Sequence, residues 1–537
     1  MNEPKLASNK VLWIFAIGQL GWAMMSGIIN NWLVYFYQPG ESLLAQGHTI
    51  FITQGAVVLG LTVIGVISAL GRVFDAFTDP FIGSLSDRCK HPMGRRTPFL
   101  RYAAIPLGVF TVLVFCSPFG SEGANNIFLG AMILCFYLSL TCYCTPYNAL
   151  IPELGRDQRT RVNVSTFISF TYFIGTAFAY LITNVSAFFE PALGVTNAFR
   201  ITVGFFAVIA IVCMLIPSFA IDEHTYAVTQ PSTSGMGASL KKTFKNKQFR
   251  TFVGSDVLYW IALTMFQTGL PFYITELMGL DDGMTFVLFA IMTVISVCFY
   301  APVNIVAKRI GKKKLVVFAF IWFAVTFAIT TVVGLFGVPG MAWGIIVAIL
   351  AAIPMAILGI LPQAVVADIA QADGIETGEN RQGMFYAART FAFKLGQAVS
   401  MAAFTSIALI GTGGFGYRLT ALVAAVFCLC GGVVFMRYNE QKTMEIIENG
   451  TAKAIPEPGI PPEFEPAPAS EFEPIAEDAA AAAAAVTPEV APEPEPAFEP
   501  AAEPAAEPVA DFASAEGPAF DTEDAPAPET DNADQEA

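Results

Sequence analysis

The sequence predicts an all-α membrane protein, with twelve transmembrane helices in two six-helix bundles and a disordered C-terminal tail. Three observations carry this expectation. The 537 residues are 55% hydrophobic and only 14% charged, whereas a soluble domain carries about 25% charged residues. Apolar runs long enough to cross a bilayer recur from Val11 to about Arg437. The loops between them alternate between basic and acidic.

The first run, 11–37, follows a short polar start (MNEPKLASNK) and is too long for the apolar core of a signal peptide. The later runs are 54–86, 98–117, 125–150, 162–186, 198–218, 250–277, 283–307, 314–336, 341–365, 381–410 and 415–437. One alternating set of loops holds Arg88, Lys90, Arg95, Arg96 and Arg101, then Arg156, Arg159 and Arg161, then Lys241, Lys242, Lys245 and Lys247, then Lys308, Arg309, Lys312 and Lys313. The other set holds Glu41, Glu122, Glu190, Glu276, Asp281 and Asp282. Basic loops stay cytoplasmic. Both termini are therefore expected on that side of a plasma (bacterial inner) membrane. The polar connection 221–248 separates six spans (1–220) from six (249–440). Each half has a basic loop after its second span, DRCKHPMGRR and AKRIGKKK. Such repetition fits parallel halves around a cavity near the bilayer midplane.

The tail is drawn at 441–537. Residues 451–537 contain 22 acidic residues and one Lys, while the whole chain carries −15, so the spanning part is net basic. Stretches such as APEPEPAFEPAAEPAAEPVA have too few large apolar side chains to offset the entropy of ordering, so disorder is expected. The nine cysteines, among them the pairs Cys142/Cys144 and Cys428/Cys430, read as small core residues. His48, His91 and His224 form no metal cluster.

The most informative residues are Arg72, Asp75 and Asp79. They lie in Gly60-LTVIGVISALGRVFDAFTDPFIGSLSDR-Cys89, after some twenty residues without a charge. Offsets of three and four put them on one helical face. A charge at mid-bilayer costs about 2.5–3.5 kcal/mol on insertion scales. Three on one face must look into protein or a water-filled cavity, which makes a transport or ion-coupling site the default expectation. The alternative is structural: an Arg72–Asp75 ion pair, with Asp79-Pro80 shaping a kink. Lys394 lies in another apolar run (MFYAARTFAFKLGQAVSMAAF), about nine residues from its start, or roughly 13 Å along a helix. It is placed to compensate the aspartates, or to snorkel from a helix end.

Here the chain resembles a known family. GRVFDAFTDPFIGSLSDR followed by GRRTPF, Tyr143-CTPYNALIPEL-Leu154 and Thr377-GENRQGMFYAARTFAFKLGQA-Ala398 resemble signatures of the glycoside–pentoside–hexuronide:cation symporters, melibiose-carrier-like members of the major facilitator superfamily. The resemblance covers roughly residues 10–440 and leaves the tail without counterpart. It implies the major facilitator fold and symport of a sugar with Na⁺, Li⁺ or H⁺, with no other cofactor. It implies cation-binding roles for Asp75, Asp79 and Thr141, and charge coupling by Arg72 and Lys394. It also implies a cytoplasmic gate built from Gly83, Asp87, Arg88, Arg95 and Arg96. Asp368, Glu376 and Glu379 are expected to latch those arginines, and a monomer is the expected unit.

The chain also departs from the galactoside carriers of that family. Ala23 and Cys144 stand where those have acids, and Asn148 where they have an aromatic that stacks on sugar. Substrate candidates are therefore hydrogen-bonding and aromatic residues on the spans: Asn30, Asn31, Tyr35, Tyr143, Asn148, Thr166, Tyr259, Trp260 and Gln267. Each has a helix-packing alternative, and Trp260 with Gln267 (i, i+7) forms the leading pair. The first functional expectation is cation-coupled sugar or glycoside symport by alternating access. Others are a Na⁺-coupled lysolipid transporter of the same fold, and a sensor signalling through the tail. No nucleophile elbow, Walker loop or His-Glu-x-x-His occurs, so an enzyme is not expected. The basic residues sit beside spans, which argues against nucleic-acid binding.

Overall fold

The computed structural model describes residues 6–58, 60–155, 158–226, 242–379 and 381–454. Positions 227–241 of the central connection and the expected disorder beyond 454 lie outside them. Twelve described helices have 18 residues or more: α1 Asn9–Tyr37, α2 Val63–Asp87, α3 Thr97–Val114, α4 Glu122–Leu154, α5 Gln158–Tyr180 and α6 Glu190–Ala220 in the first half. The second half has α7 Lys247–Phe272, which runs on as a π turn over Tyr273–Leu277, then α8 Met284–Ile310, α9 Lys312–Thr331, α10 Gly340–Thr377, α11 Gln382–Ile407 and α12 Phe415–Phe435. Eight of these are long and apolar enough to cross a membrane, and α8, bent by 48° beside Pro302, makes a ninth. The other three are the polar ones. α2 carries Arg72, Asp75 and Asp79, α11 carries Arg389 and Lys394, and α5 opens on QRTRVNVST. They pay for function in hydropathy.

Several boundaries differ from the sequence expectation. The run from 54 does not enter a helix directly. Ala56–Val58 and Leu61–Thr62 form a short antiparallel hairpin around Gly60, whose φ of 80° suits only glycine well. Thr62 then caps α2 by accepting from the Gly65 amide at 3.1 Å. The run 162–186 breaks after Tyr180 into a short helix, Ile182–Ser186. α10 continues to Thr377, twelve residues past the expected end. Glu440–Ala454, all but its first residue placed in the tail by composition, forms a helix, α13, that packs on α10.

α1–α6 pack with one another, and α7–α12 do the same. Of the eight apolar spans, α1 and α7 are the most buried. The halves meet chiefly through α2 against α11, and also through α1 against α7 and α5 against α8. Contacts between halves cluster at one end. Tyr35 meets Phe272 edge-on at 5.2 Å, and Tyr180 meets Phe289 at 4.1 Å. The Gln38 amide donates to the Thr405 carbonyl at 2.9 Å, and the Ser42 backbone N–H donates to Glu276 at 3.0 Å. At the opposite end, the ion pairs among the described residues stay within one half. The protein is closed at the end holding residues 37–62 and 273–283.

A capping device occurs twice at the other end. Glu223, just after α6, accepts from the backbone N–H groups of Arg95, Arg96 and Thr97 at 2.8–2.9 Å at the start of α3. Glu440, just after α12, accepts from Lys312 and Lys313 at 2.7 and 2.9 Å at the start of α9. Gly94 and Gly311, both at positive φ, make room for these carboxylates. A carboxylate on orphan helix N–H groups satisfies donors and complements the helix dipole.

Two predictions follow from this geometry. Glu223→Ala and Glu440→Ala should each cost about 1–2 kcal/mol. Thermal melting of purified protein should drop for each, and additively for both, because they act in separate halves. At the closed end, burial, then Asp281 and Glu190, push the Asp282 carboxyl up to about 7, against an ordinary value of about 3.9. Closure thus favours the protonated acid. Its stability is full at low pH and lost as the pH rises through about 7. Spin-label distances across this end should lengthen as the pH rises from about 4 to about 7 in the native sequence, and stay constant in Asp282→Asn.

Candidate functional site

The site forms where α2 faces α4 and α11. Asp75 and Asp79 are one turn apart on α2, and Thr141 and Thr145 are one turn apart on α4. The two repeats interlock. Thr141 Oγ1 donates to Asp75 Oδ1 at 2.8 Å, and Thr145 Oγ1 donates to Asp79 Oδ1 at 3.1 Å. Thr78 lies 3.2 Å from Thr141, hydroxyl to hydroxyl, and donates to the Asp75 carbonyl at 3.1 Å. The remaining carboxylate oxygens turn to Lys394 on α11. Its Nζ lies 2.9 Å from Asp75 Oδ2 and 2.6 Å from Asp79 Oδ2. Each acid thus has one oxygen on a hydroxyl of its own half and one on the ammonium of the other half. Asp75 is 2% exposed and Asp79 25%, so the seat opens on the Asp79 side.

Arg72 stands apart from this cluster. It donates to Asn30 Oδ1 on α1 and lies over the Tyr137 ring at 5.3 Å. No carboxylate among the described residues lies within 4.0 Å of it. The alternative Arg72–Asp75 ion pair is therefore not formed, because Lys394 and Thr141 have taken the Asp75 oxygens. Lys394 does not snorkel; it is spent on the aspartates.

Two stripes flank these charges. From Gly21 to Tyr37, α1 is buried except at Trp22, Ser26 and Asn30, which share one face. On α7 the half-buried positions Trp260 and Gln267 lie in line with Thr264. Each central helix therefore presents an indole, a hydroxyl and a carboxamide in order. The indole Nε1 atoms of Trp22 and Trp260 and the Thr264 hydroxyl are buried without hydrogen-bond partners among the described residues. Trp260 stacks on Phe393 at 4.6 Å. Trp260 and Gln267 are both half-buried on one face of α7. Trp22, Ser26 and Thr264 were not singled out from sequence, although their offsets of four match those of the recognised residues.

Other candidates are placed elsewhere. Asn31 is buried on a neighbouring face of α1. Tyr35 belongs to the closed end. Tyr143 is fully buried, and its hydroxyl donates to the Met214 carbonyl at 2.9 Å, so it packs the first half and turns nothing toward a solute. Tyr259 is likewise buried, against Phe320. Asn148 is exposed on the Thr141–Thr145 face of α4, and Thr166 is exposed on α5.

The gate residues form a network, but a different one from that expected. Arg96 pairs with Asp87 at 2.5 Å and Glu153 at 3.4 Å, and Arg95 pairs with Glu153 at 3.2 Å. Gly83 gives α4 close approach at Thr145. Arg88 is exposed and forms no ion pair among the described residues. Asp368 pairs with Lys312 at 2.5 Å, not with Arg95 or Arg96, and Glu379 pairs with Lys242 at 2.7 Å. Among the described residues no ion pair latches the two halves together at this end. Glu153 and Glu223, the true partners of the loop, sit at helix ends where sequence offers no distance information. A further pair was also missed. Arg389 holds Asp256 with two bonds of 2.8 and 2.9 Å, fully buried, and fixes α11 to α7 one to two turns before Lys394.

Two parallel helical halves meeting around a buried charged seat define a membrane transporter of the major facilitator type. Residues 14–439 match the family described as MFS/sugar transport protein, and the chain belongs to that family. It is 25% identical over 471 residues to the glucuronide carrier protein homolog of Escherichia coli (strain K12), covering 80% of this chain and 95% of that protein. It is 22% identical over 276 residues to an isoprimeverose transporter of Lactiplantibacillus pentosus, covering 50% and 57% of the two. A solved structure of a D-xylose–proton symporter superposes with a TM-score of 0.58 at 13% identity, over 81% of this chain and 98% of that one, and shows the shared fold. The protein is thus a sugar-type transporter of the major facilitator superfamily, a multi-pass membrane protein of a transporter family and not an enzyme. The lysolipid and tail-signalling expectations find no support among these relatives.

The geometry makes Lys394 the counter-charge of two adjacent acids. Breaking a fully buried pair costs about 3–5 kcal/mol, and less where one partner is partly solvated as here. Lys394→Gln should lower the melting temperature, and adding Asp79→Asn should recover most of the loss. A double variant as unstable as the simple sum of the single changes would show that the three groups do not act together.

Proposed function

We propose that the chain couples uphill uptake of a sugar or glycoside to a cation that takes the place of the Lys394 ammonium between Asp75 and Asp79. The carrying observation is the bridging position of Lys394 Nζ, shared by both carboxylates. An ammonium seated on oxygens marks where another monovalent cation is chemically suited. Carboxylate and threonine oxygens suit a hard cation such as Na⁺ or Li⁺. A proton would serve by neutralising one acid of the pair. Thr141 and Thr145 supply the remaining oxygens. Arrival of the cation releases Lys394 and so loosens α2 from α11, the main contact between the halves. The ion thereby has different affinity for different arrangements of the halves, which any ligand needs if it is to shift a conformational equilibrium.

The solute is assigned to the space between the stripes Trp22–Ser26–Asn30 and Trp260–Thr264–Gln267. Indoles offer flat apolar faces for a sugar ring, and the hydroxyls and carboxamides offer hydrogen bonds to its hydroxyl groups. Relatives named for glucuronide and isoprimeverose transport support a sugar-class substrate. With basic loops and both termini cytoplasmic, the closed end is the external one, and the described arrangement is open to the cytoplasm with no cation bound. Rocking of the halves about the α2–α11 contact would exchange access. One chain contains both halves and the entire site, so a monomer suffices.

The test uses the purified chain in lipid vesicles with imposed Na⁺ or pH gradients and a panel of sugars. The native chain should accumulate its sugar under one gradient. Asp75→Asn and Asp79→Asn should each reduce uphill accumulation by about tenfold or more, the equivalent of losing one good ligand. Gradient-driven uptake that persists in Asp75→Asn/Asp79→Asn would overturn the proposal.

A further inference from the structure

A cavity of about 460 Å³ lies away from the cation seat, at the end of the second half opposite the closed one. Its walls are the start of α7, the last turns of α10, Arg381 at the start of α11, and α13. That volume is in the range of small-molecule sites. Asp373 of α10 binds two of the other walls, accepting from Asn246 Nδ2 at 3.0 Å and from Arg381 Nη2 at 2.7 Å. Gln248 Oε1 accepts from the Asn439 N–H at 3.0 Å, which joins the start of α7 to the approach to α13. α13 begins at Glu440, one residue beyond the matched region 14–439, so this wall lies outside the stretch that matches the family.

The cavity carries more positive charge than its own acids answer. Lys242 is paired with Glu379, and Arg381 with Asp373. Lys245, Lys247 and Lys442 then stand against one acid, Glu376, and none of these four forms an ion pair among the described residues. The excess is two charges. Two further features point to a ligand. The Arg381 side chain is 9% exposed, and its Nη1 is buried with no hydrogen-bond partner among the described residues. The first turn of α7 contains no acid and opens on Lys247, the wrong sign for the positive end of a helix dipole. Basic residues beside a span also fix topology. Topology asks only for charge in the loop, and does not account for a guanidinium lining a cavity with an N–H unanswered.

An anion answers all three features. Helix N-termini bind phosphate through their N–H groups and their dipole. Charge decides the kind of anion. A phosphate monoester carries about −1.5 to −2 near pH 7, which matches the excess; a carboxylate or a sulfate ester brings only one charge. The space is larger than a phosphate needs, and Ile369, Ala372 and Ile446 give it an apolar wall, so the phosphate carries an organic group. We infer that this cavity binds a phosphate monoester, the chemistry common to sugar phosphates and to the headgroup of phosphatidic acid. In the orientation proposed above it faces the cytoplasm. The site shares no residue with the cation seat, so it stands or falls apart from the symport reading.

The test uses the full chain in phosphatidylcholine nanodiscs, with glucose 6-phosphate as the soluble probe and calorimetric titration as the readout. The native chain should bind it with a Kd below about 1 mM. Lys245 and Lys442 are exposed, so Lys245→Gln/Lys442→Gln leaves the packing intact. That double variant should bind about tenfold or more weakly. Glucose 6-sulfate should also bind the native chain about tenfold or more weakly than the phosphate. A second arm replaces part of the lipid by phosphatidic acid and reads the melting temperature, which should rise for the native chain and not for the double variant when the ligand is a lipid. Binding in the first arm identifies a free phosphate ester, and stabilisation in the second a headgroup; either supports the site. Failure of the native chain in both arms overturns the inference. So does an effect that the double variant retains in full, or a sulfate ester that binds as tightly as the phosphate.

Discussion

One ammonium group shared by two carboxylates is the interaction on which this protein is organised. Lys394 comes from one half, and Asp75 and Asp79 come from the other. None could stand alone in an apolar span, because an isolated charge there has neither water nor a low-cost neutral form at ordinary pH. Their mutual neutralisation brings α2 and α11 together, and that contact is the principal seam between the halves. Electrostatic necessity and fold are therefore the same fact. The force is strong because the surroundings are poorly polarisable. It is also replaceable, because another cation can satisfy the same oxygens. An interaction at once strong and replaceable is what a coupling device requires.

The repeated architecture supports that seam. Each half ends in a carboxylate that caps its own third helix, Glu223 on α3 and Glu440 on α9. Each half places an indole, a hydroxyl and a carboxamide on the accessible face of its first helix. Such internal stiffening lets a half move as one body, so that closure at one end and opening at the other need only repacking between halves. The closed end is built from aromatic contacts and a few hydrogen bonds, such as Tyr35 on Phe272, Gln38 on Thr405 and the Ser42 amide on the half-buried Glu276. Contacts of this kind can be lost without stranding a buried charge. The Asp256–Arg389 pair has the opposite character. Fully desolvated and confined to one half, it ties α11 to α7 and sets the height at which Lys394 reaches the seam.

Much of this could be read from residue order. Arg72, Asp75 and Asp79 declared themselves by charge within an apolar run, and their offsets placed them on one face. Lys394 did the same. Trp260 and Gln267 share one half-buried face of α7, a relation that helical spacing alone conveys. The misreadings share a cause. Tyr143 was a solute candidate as a hydrogen-bonding aromatic residue on a span, yet its hydroxyl is consumed by the Met214 carbonyl. Asp368 was matched with Arg95 and Arg96 by charge sign, yet it found Lys312, which is nearer in this arrangement of the halves. Composition assigned 441–454 to the tail, yet that stretch belongs to a helix that folds onto α10. Pattern reports which face a residue shares within one helix, and says little about which neighbour that face meets.

Sequence by itself determined that this chain lives in a membrane, that it has two related halves, and that a few charges on α2 and α11 had to be hidden together. Hydropathy, loop charge and helical offset are local properties, and local order suffices to express them. The tertiary structure alone decided that each aspartate divides its two oxygens between a threonine and Lys394. It also decided that Arg72 is left facing Asn30 without an acid, and that the halves are closed at one end. Those outcomes depend on distances between helices far apart in the chain, set by the packing of whole bundles, and no local pattern encodes them.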